Sequence, residues 1–191
     1  DSGTITTTTD FGTWTTVAVS GTTQNLNGIC YGNGRYVVVG EGGTILTSTD
    51  AVTWTPRPIQ FTLGLTSVIW TGTRYVAVGN LGLILTSVDA ITWTIPQSFA
   101  TAYNFNTIAI NTAGDRMIAV AESGGIVQSA DGLTWTPIQN LITTTNLTDI
   151  IYDSTNTFSF YIVGDAGTVL IYDIDPLSVT FNQLLSPTLT Q

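Results

Sequence analysis

The stretch GEGGTILTSTDAVTWT at residues 40–55 recurs almost unchanged as GNLGLILTSVDAITWT at residues 79–94. Each copy contains a glycine turn, a short apolar run, a Ser-x-Asp triplet and a Thr-Trp pair. A scaffold element recurs with every structural repeat, whereas an active site is normally assembled once in a domain. The duplication therefore favours a scaffold role for this stretch, and it makes the repeat the key to the fold.

The repeat extends along the whole chain. Successive tryptophans at one repeat position are separated by 40, 39 and 42 residues. An aspartate precedes each of them by four residues, and a hydroxyl residue precedes each aspartate by two. The four pairs are Asp10 and Trp14, Asp50 and Trp54, Asp89 and Trp93, and Asp131 and Trp135. A fifth, degraded copy with a short insertion carries Gly167, Val169, Asp175, Thr180 and Phe181.

Each period predicts four short strands, which we name A to D in chain order. The runs are rich in Val, Ile, Thr and Tyr and are bounded by Gly, Asn and Asp, a pattern typical of strands. Four antiparallel strands repeated about every 40 residues indicate the blades of a β-propeller. We therefore predict one all-β domain of about five blades over residues 1–191. The predicted parts are a partial blade with strands C and D at 1–16, blades at 26–56, 65–95, 105–137 and 147–183, and a tail at 184–191.

The incomplete N-terminal blade at residues 1–16 can be completed in two ways. A strand from the tail can join the N-terminal hairpin and close a ring, or another copy of the chain can supply the missing strands. Because an unpaired sheet edge promotes aggregation, we expect one of these arrangements, and we favour the compact ring.

The S-x-D-x-x-T-W element resembles a shortened Asp-box, the hairpin motif of sialidase-type (BNR) propellers. The longer phrase VGEGGTILTSTDAVTW is similar to repeats of photosystem II assembly-factor propellers and of phage tail and fibre proteins. The resemblance covers essentially the whole chain and implies a propeller. It implies no particular activity, because propellers host unrelated functions.

The Asp and Trp of each copy are predicted to be structural. A short Asp side chain can accept hydrogen bonds from backbone N–H groups about two residues ahead and hold a hairpin turn closed. The Trp supplies a large apolar ring that can clamp the hairpin on its neighbour.

Two sets of residues at the opposite end of the blades are candidate ligand- or partner-binding residues. The first set occupies the B–C turns, each member followed two residues later by Gly: Asp1, Glu41, Asn80, Glu122 and Asp165. The second set comprises aromatic residues of the variable D–A connectors, suited to stacking on a sugar or packing on a protein: Phe61, Phe99, Tyr103 and Phe105. Variable loops on a repeated frame often carry binding. The alternative is that the acidic residues cap turns and the aromatics fill gaps between blades.

Composition excludes several function classes. The net charge of −9, with only four Arg and no Lys or His, disfavours nucleic-acid binding. The single Cys30 cannot form an intrachain disulfide or a cysteine zinc site, and no metal or cofactor is expected. Arg35, Arg74 and Arg116 occupy one repeat position, so they are expected around a ring rather than together in a sialidase-type triad. No apolar run is long enough to predict insertion into a membrane.

These observations predict a non-enzymatic structural or adhesion propeller. The Thr-rich surface favours a virion or extracellular location, with a glycan or protein partner, or self-assembly, at the face of B–C turns and D–A connectors. The alternative is an assembly-factor-like propeller that docks a protein partner, although charged docking residues are few. A glycan hydrolase is the remote alternative, since it needs two carboxylates about 5–10 Å apart across that face.

Overall fold

A computed structural model describes residues 3–17, 19, 21–96, 103–138, 143–155, 159–174 and 183–185. Residues 183–185 are described by their backbone alone. In these ranges the chain forms β-strands joined by turns and four short 3₁₀ turns, and no α-helix is present. None of the described helical segments has the length and apolar character needed to cross a membrane.

The strands form five antiparallel sheets that follow one another along the chain. The first sheet contains β1 (Ile5–Thr7) and β2 (Thr15–Val17). The first four-stranded blade contains β3 (Leu26–Gly32), β4 (Arg35–Gly40), β5 (Ile45–Ser48) and β6 (Thr55–Pro56). The second blade contains β7 (Leu65–Trp70), β8 (Tyr75–Gly79) and β9 (Ile84–Ser87). The third contains β10 (Phe105–Ile110), β11 (Met117–Ala121), β12 (Ile126–Ser129) and β13 (Thr136–Pro137). The fourth contains β14 (Leu147–Asp153), β15 (Ser159–Gly164), β16 (Val169–Asp173) and β17 (Gln183–Leu185).

Strand order in every blade is the order of the chain, A to D, as in a meander. In the second blade the fourth strand is reduced to an isolated bridge between Thr86 and Thr94. In the fourth blade β17 pairs with β16, so residues 183–185 complete that blade. This part of the chain therefore does not pair with the N-terminal hairpin, and the first sheet has two strands among the described residues.

Neighbouring sheets pack face to face through alternating apolar side chains. Val37 and Val39 of the first blade, for example, pack in one cluster with Val68 and Ala77 of the second. Similar clusters join the second blade to the third and the third to the fourth. Strand residues alternate between the two faces, and in an inner blade both faces are covered. Strand B there reads as an almost continuous apolar run, such as YVAVG at residues 75–79.

Strands A of successive blades are joined near their beginnings by side-chain hydrogen bonds. Nδ2 of Asn27 donates to the carbonyl of Leu65 at 2.9 Å. In the next two blades Oγ1 of Thr66 donates to the Phe105 carbonyl and Nδ2 of Asn106 to the Leu147 carbonyl, at 2.8 and 2.7 Å. These contacts hold the strands A side by side, which is the arrangement of innermost propeller strands. The predicted all-β propeller is confirmed.

Candidate functional site

The aspartate of each C–D hairpin binds backbone of its own turn. Oδ1 of Asp50 accepts hydrogen bonds from the N–H groups of Val52 and Thr53, at 2.9 and 2.7 Å, and from the Ser48 hydroxyl at 2.8 Å. The N–H of Thr53, followed by that of Val52, lowers the pKa of Asp50 well below its usual range. Backbone N–H groups at the equivalent positions of the other hairpins lower the pKa values of the three corresponding aspartates: Asp10, Asp89 and Asp131. These carboxylates are therefore ionised, and each accepts hydrogen bonds from its own hairpin turn.

The tryptophans of the hairpins differ in burial. Nε1 of Trp54 donates to the carbonyl of Ala51 at 3.2 Å, and Trp93 and Trp135 make the equivalent bond. Trp54 and Trp135 are buried and Trp93 is half-buried. Trp14 is largely exposed, so the prediction that it clamps its hairpin on a neighbour is wrong. The reason is that a Trp at this position packs towards the preceding sheet, and the structure describes no sheet before β1.

The carboxylates of the third and fourth B–C turns join adjacent blades. Nδ2 of Asn104 donates to Glu122 of its own blade at 2.8 Å, while its Oδ1 accepts from the Leu81 N–H of the preceding blade at 3.0 Å. Asn146 makes the equivalent pair of bonds to Asp165 and to the Ser123 N–H. The residue before strand A thus ties one B–C turn to the next, and this favours the turn-capping interpretation of these acids.

Glu41 and Asn80 lie at the one described position where this link is interrupted. Gly64 stands where Asn104 and Asn146 stand in later blades. A Cβ atom added to Gly64 would lie 2.6 Å from Oε2 of Glu41 and 3.1 Å from Nδ2 of Asn80, so both side chains approach the vacant space. Oε1 of Glu41 accepts from Nδ2 of Asn27 at 3.2 Å. Both side chains thus approach the same glycine, whereas Glu122 and Asp165 are each held by an asparagine.

The predicted aromatic residues are mostly packing residues. Phe105 is fully buried in the cluster between the second and third blades, so its prediction as an exposed aromatic is wrong. It begins strand A, where alternation turns its side chain into the interface between blades. The Tyr103 ring lies so close to Gly125 that a Cβ there would be 2.7 Å from the ring. Phe61 is half-buried against the core. Asp1 and Phe99 lie outside the described residues.

The surface around the C–D hairpin of the second blade contains two grooves that the sequence did not predict. We call it the blade-2 hairpin surface. One groove has a volume of about 490 Å³, and the polar residues Gln60, Thr92 and Thr94 line it together with six apolar residues: Pro58, Ile59, Phe61, Ile91, Trp93 and Ile95. The other, of about 230 Å³, contains Arg74, Val88 and Leu133. Both grooves include Thr92 and Thr94, so they lie on the two sides of one hairpin.

One exposed aliphatic position of this surface recurs in the neighbouring hairpins. Ile91 is two residues after the hairpin aspartate, as are Val52 and Leu133, and all three remain at least 38% exposed. This recurrence is visible in the sequence and could have indicated an apolar rim. The depth of the grooves could not be predicted, because it depends on the connector of residues 58–61 and on the neighbouring blade.

Two charged residues line the second groove, Arg74 and the hairpin aspartate Asp89. Arg74 has a buried Nε without a hydrogen-bond partner in the part of the chain that the structure describes. Its Cδ lies against Gly132 of the next blade, where a Cβ would come within 3.2 Å. A buried guanidinium N–H without an acceptor loses the hydrogen bond that it makes in water. Arg74 also lines the groove, so a rotation of its side chain that exposed Nε there would let an oxygen atom in the groove restore that bond.

Among the described residues, no group of three or more His, Cys, Asp or Glu side chains could hold a metal ion. Arg116 in the third blade donates to Oε1 of Gln128 at 3.2 Å. Arg116 lies in a groove of about 260 Å³ beside the C–D hairpin of the third blade. Arg74 lies in the groove beside the C–D hairpin of the second blade. Arg74 and Arg116 therefore line separate grooves rather than one common site.

No protein-family model matches the chain, and no curated protein matches it. Solved structures share its fold. The structure of YCF48 bound to D1 peptide has a TM-score of 0.71 at 20% identity and covers 99% of this chain, and 64% of that chain is matched. YCF48 from Cyanidioschyzon merolae has a TM-score of 0.63 at 17% identity, over 85% of this chain and 56% of that one. An auxiliary nutrient binding protein from Bacteroides thetaiotaomicron has a TM-score of 0.60 at 11% identity, over 85% and 42%.

The chain thus spans less than two thirds of each of these proteins. At such identities the likeness shows the fold alone, which is that of a β-propeller.

Proposed function

We propose that the chain is a non-enzymatic propeller that docks a peptide segment of a protein partner on the blade-2 hairpin surface. The observation that carries the proposal is the pair of grooves on either side of this hairpin, one with six apolar residues in its lining and one lined by Arg74, whose buried Nε has no partner among the described residues. A similar fold, that of YCF48, is found in complex with a D1 peptide. This supports partner docking more than it supports adhesion to a host surface.

The apolar groove supplies the binding free energy in this proposal. Ile91 and Ile95 are 47% and 39% exposed, and they border Trp93 and Phe61. Covering such side chains contributes roughly 25 cal/mol per Å² of apolar area, and aromatic residues in pockets are typical binding hot spots. The matching segment carries two or three apolar side chains.

Arg74 supplies orientation. Its buried Nε has no acceptor among the described residues, and once the side chain rotates towards the groove that it lines, a carbonyl or carboxylate of the partner provides one. A guanidinium that gains a buried acceptor stabilises the bound segment in a single direction along the hairpin. The proposed segment therefore places apolar side chains in the first groove and a carbonyl or carboxylate oxygen in the second.

The carboxylates support a binding role rather than glycan hydrolysis. A general acid of a glycosidase has a raised pKa. Here the pKa values of the hairpin aspartates are lowered by backbone N–H groups, and Glu122 and Asp165 are hydrogen-bonded to asparagine amides. The virion or cell-surface location and the glycan partner stay predictions from the sequence.

Selection of a displayed random peptide library on the 191-residue protein tests the proposal. Selected peptides are then titrated by calorimetry against Ile91→Glu and Arg74→Gln. We expect each substitution to weaken binding about tenfold or more, which corresponds to about 1.4 kcal/mol. Val52→Glu and Arg35→Gln are matched controls, since they change the same two repeat positions in the first blade, and they should leave the affinity unchanged.

Selection that yields no binders contradicts the proposal. Binding that is weakened equally by Ile91→Glu and by its control Val52→Glu also contradicts the proposal, because the peptide would then not bind specifically at the hairpin of the second blade. A glycan array run in parallel, with binding lost in Phe61→Ala, would favour the adhesion interpretation instead.

A further inference from the structure

The chain contains two Asn-Gly dipeptides, Asn27-Gly28 and Asn33-Gly34, and their surroundings differ. The second dipeptide forms the two-residue turn between β3 and β4. Both of its residues have positive φ, 46° for Asn33 and 71° for Gly34. These values are typical of a type I′ turn, in which Asn-Gly is a favoured pair. The fold therefore places an asparagine followed by a glycine at the end of a hairpin.

Nothing in the described part of the chain holds the reactive groups of this turn. Asn33 and Gly34 are both exposed. The Asn33 side chain makes no hydrogen bond to any described residue. A Cβ atom added to Gly34 would have no heavy atom within 4 Å, so the space beside the turn is open. Exposed turns open locally at a small cost in free energy, and the Asn33 carboxamide can then rotate towards the Gly34 nitrogen.

Asn27 is also followed by a glycine, but it is held in the sheet. Its Nδ2 donates to the Leu65 carbonyl at 2.9 Å and to Oε1 of Glu41 at 3.2 Å. Gly28 packs against the next blade, where an added Cβ would lie 3.0 Å from Cα of Ser67. Rotation of the Asn27 carboxamide therefore breaks two hydrogen bonds, and the backbone of the next blade leaves little space for it.

We propose that Asn33 is a site of spontaneous deamidation, in which water converts the side-chain amide of this thermolabile residue to a carboxylate. Solvent hydroxide removes the proton of the Gly34 N–H, and the nitrogen attacks Cγ of Asn33. The new N–Cγ bond replaces the Cγ–Nδ2 bond, and Nδ2 takes a proton from water and leaves as ammonia. Water then hydrolyses either C–N bond of the cyclic imide, which yields an aspartyl or an isoaspartyl residue at position 33. Glycine favours the attack because it has no side chain to obstruct its nitrogen.

The products change the charge and the length of the turn. Each adds one negative charge two residues before Arg35, in a chain whose net charge is −9. The isoaspartyl product also adds one methylene group to the backbone path. The preceding Gly32 is fixed to the second blade, because its carbonyl accepts from the Tyr75 hydroxyl and the Trp70 ring lies where a Cβ of Gly32 would be. A longer backbone therefore disturbs the pairing of Gly32 with Arg35.

Incubation of the 191-residue protein in mildly alkaline buffer, followed by chymotryptic peptide mapping, tests the proposal. Cleavage after Tyr31 and Tyr36 places the two asparagines on separate peptides, so mass spectrometry follows each conversion by its mass increase. We expect Asn33 to convert at least about tenfold faster than Asn27 in the folded protein. The control is the chain unfolded in guanidinium chloride, which keeps the sequence and removes the structure. There we expect the two asparagines to convert at similar rates.

Hydrogen exchange on the purified isoaspartyl species supplies a second readout, with the expected result that the Arg35 amide exchanges faster than in the parent protein. Freshly prepared Asn33→Asp is the matched control, since it adds the charge without lengthening the backbone, and it should resemble the parent protein. Two results would overturn the proposed site: conversion of Asn27 as fast as that of Asn33 in the folded protein, or no conversion of Asn33 while the unfolded chain converts. Unchanged exchange of the Arg35 amide in the isoaspartyl species would overturn the expected effect on the hairpin. These outcomes are independent of the blade-2 hairpin surface, because neither asparagine lines its grooves.

Discussion

The C–D hairpins of the first sheet and of the third blade share one motif but differ in burial. Asp10 accepts hydrogen bonds from the N–H groups of Gly12 and Thr13, both at 2.9 Å. Asp131 accepts from Leu133 and Thr134, both at 2.8 Å. Yet Trp14 is 59% exposed, whereas Trp135 is 1% exposed.

The difference separates what a hairpin does alone from what a blade adds. Its aspartate bonds join residues two or three apart, so they need no neighbour. Trp135 packs in the cluster that contains Val76 and Ile84 of the preceding blade, and such burial requires that blade. The motif therefore shapes the turn in both places, and the stack of blades determines where it stabilises the fold.

Removing the two tryptophans should give the largest contrast. We expect Trp135→Ala to lower the free energy of unfolding by about 3–5 kcal/mol, because it leaves a cavity between two blades. Trp14→Ala should change it by less than about 0.5 kcal/mol, as an exposed substitution does. Urea denaturation followed by circular dichroism measures both. Equal losses would mean that Trp14 is buried in solution and that the first sheet has a cover.

Removing the turn aspartate should have a smaller effect. Asp131→Ala leaves the Leu133 and Thr134 N–H groups without their acceptor, and we expect a loss of about 1–2 kcal/mol. Asp10→Ala should open only its own hairpin, because little is packed on it. Global unfolding would then be unchanged while the Gly12 and Thr13 amides exchange faster. A drop in global stability with Asp10→Ala would show that the first sheet unfolds together with the blades.

Acid should destabilise the blades through the same groups. The pKa of Asp131 is lowered in the folded protein, mainly by the Thr134 N–H, from an ordinary value of 3.8. A carboxyl with a lowered folded pKa contributes stability that is fully present above its unfolded pKa and is lost as pH falls through the folded one. We expect stability to be nearly constant above about pH 5 and to fall below about pH 4. Asp131→Asn and Asp89→Asn should each make that fall shallower in acid titrations of the denaturation midpoint, and Asp10→Asn should not.

The repeat made much of this structure predictable. The spacing of Trp and Asp predicted an all-β propeller, since few folds need four short strands about every 40 residues. The Asp turn chemistry is local and was equally accessible. The B–C turn residues were harder, because the partners of Glu122 and Asp165 are Asn104 and Asn146, which precede them by 18 and 19 residues. Their roles could be stated only once the strands were placed side by side.

The sequence by itself determined the strands, the hairpin turns and the blade repeat, because these depend on contacts between residues close in the chain and on alternation along each strand. Tertiary structure alone decided which equivalent residues are covered. Ile29 and Val68, or Trp14 and Trp135, hold the same repeat position and differ in exposure according to the sheet that lies in front of them. Whether a residue is buried between blades depends on which sheet packs against it, and the residue and its own strand do not determine that.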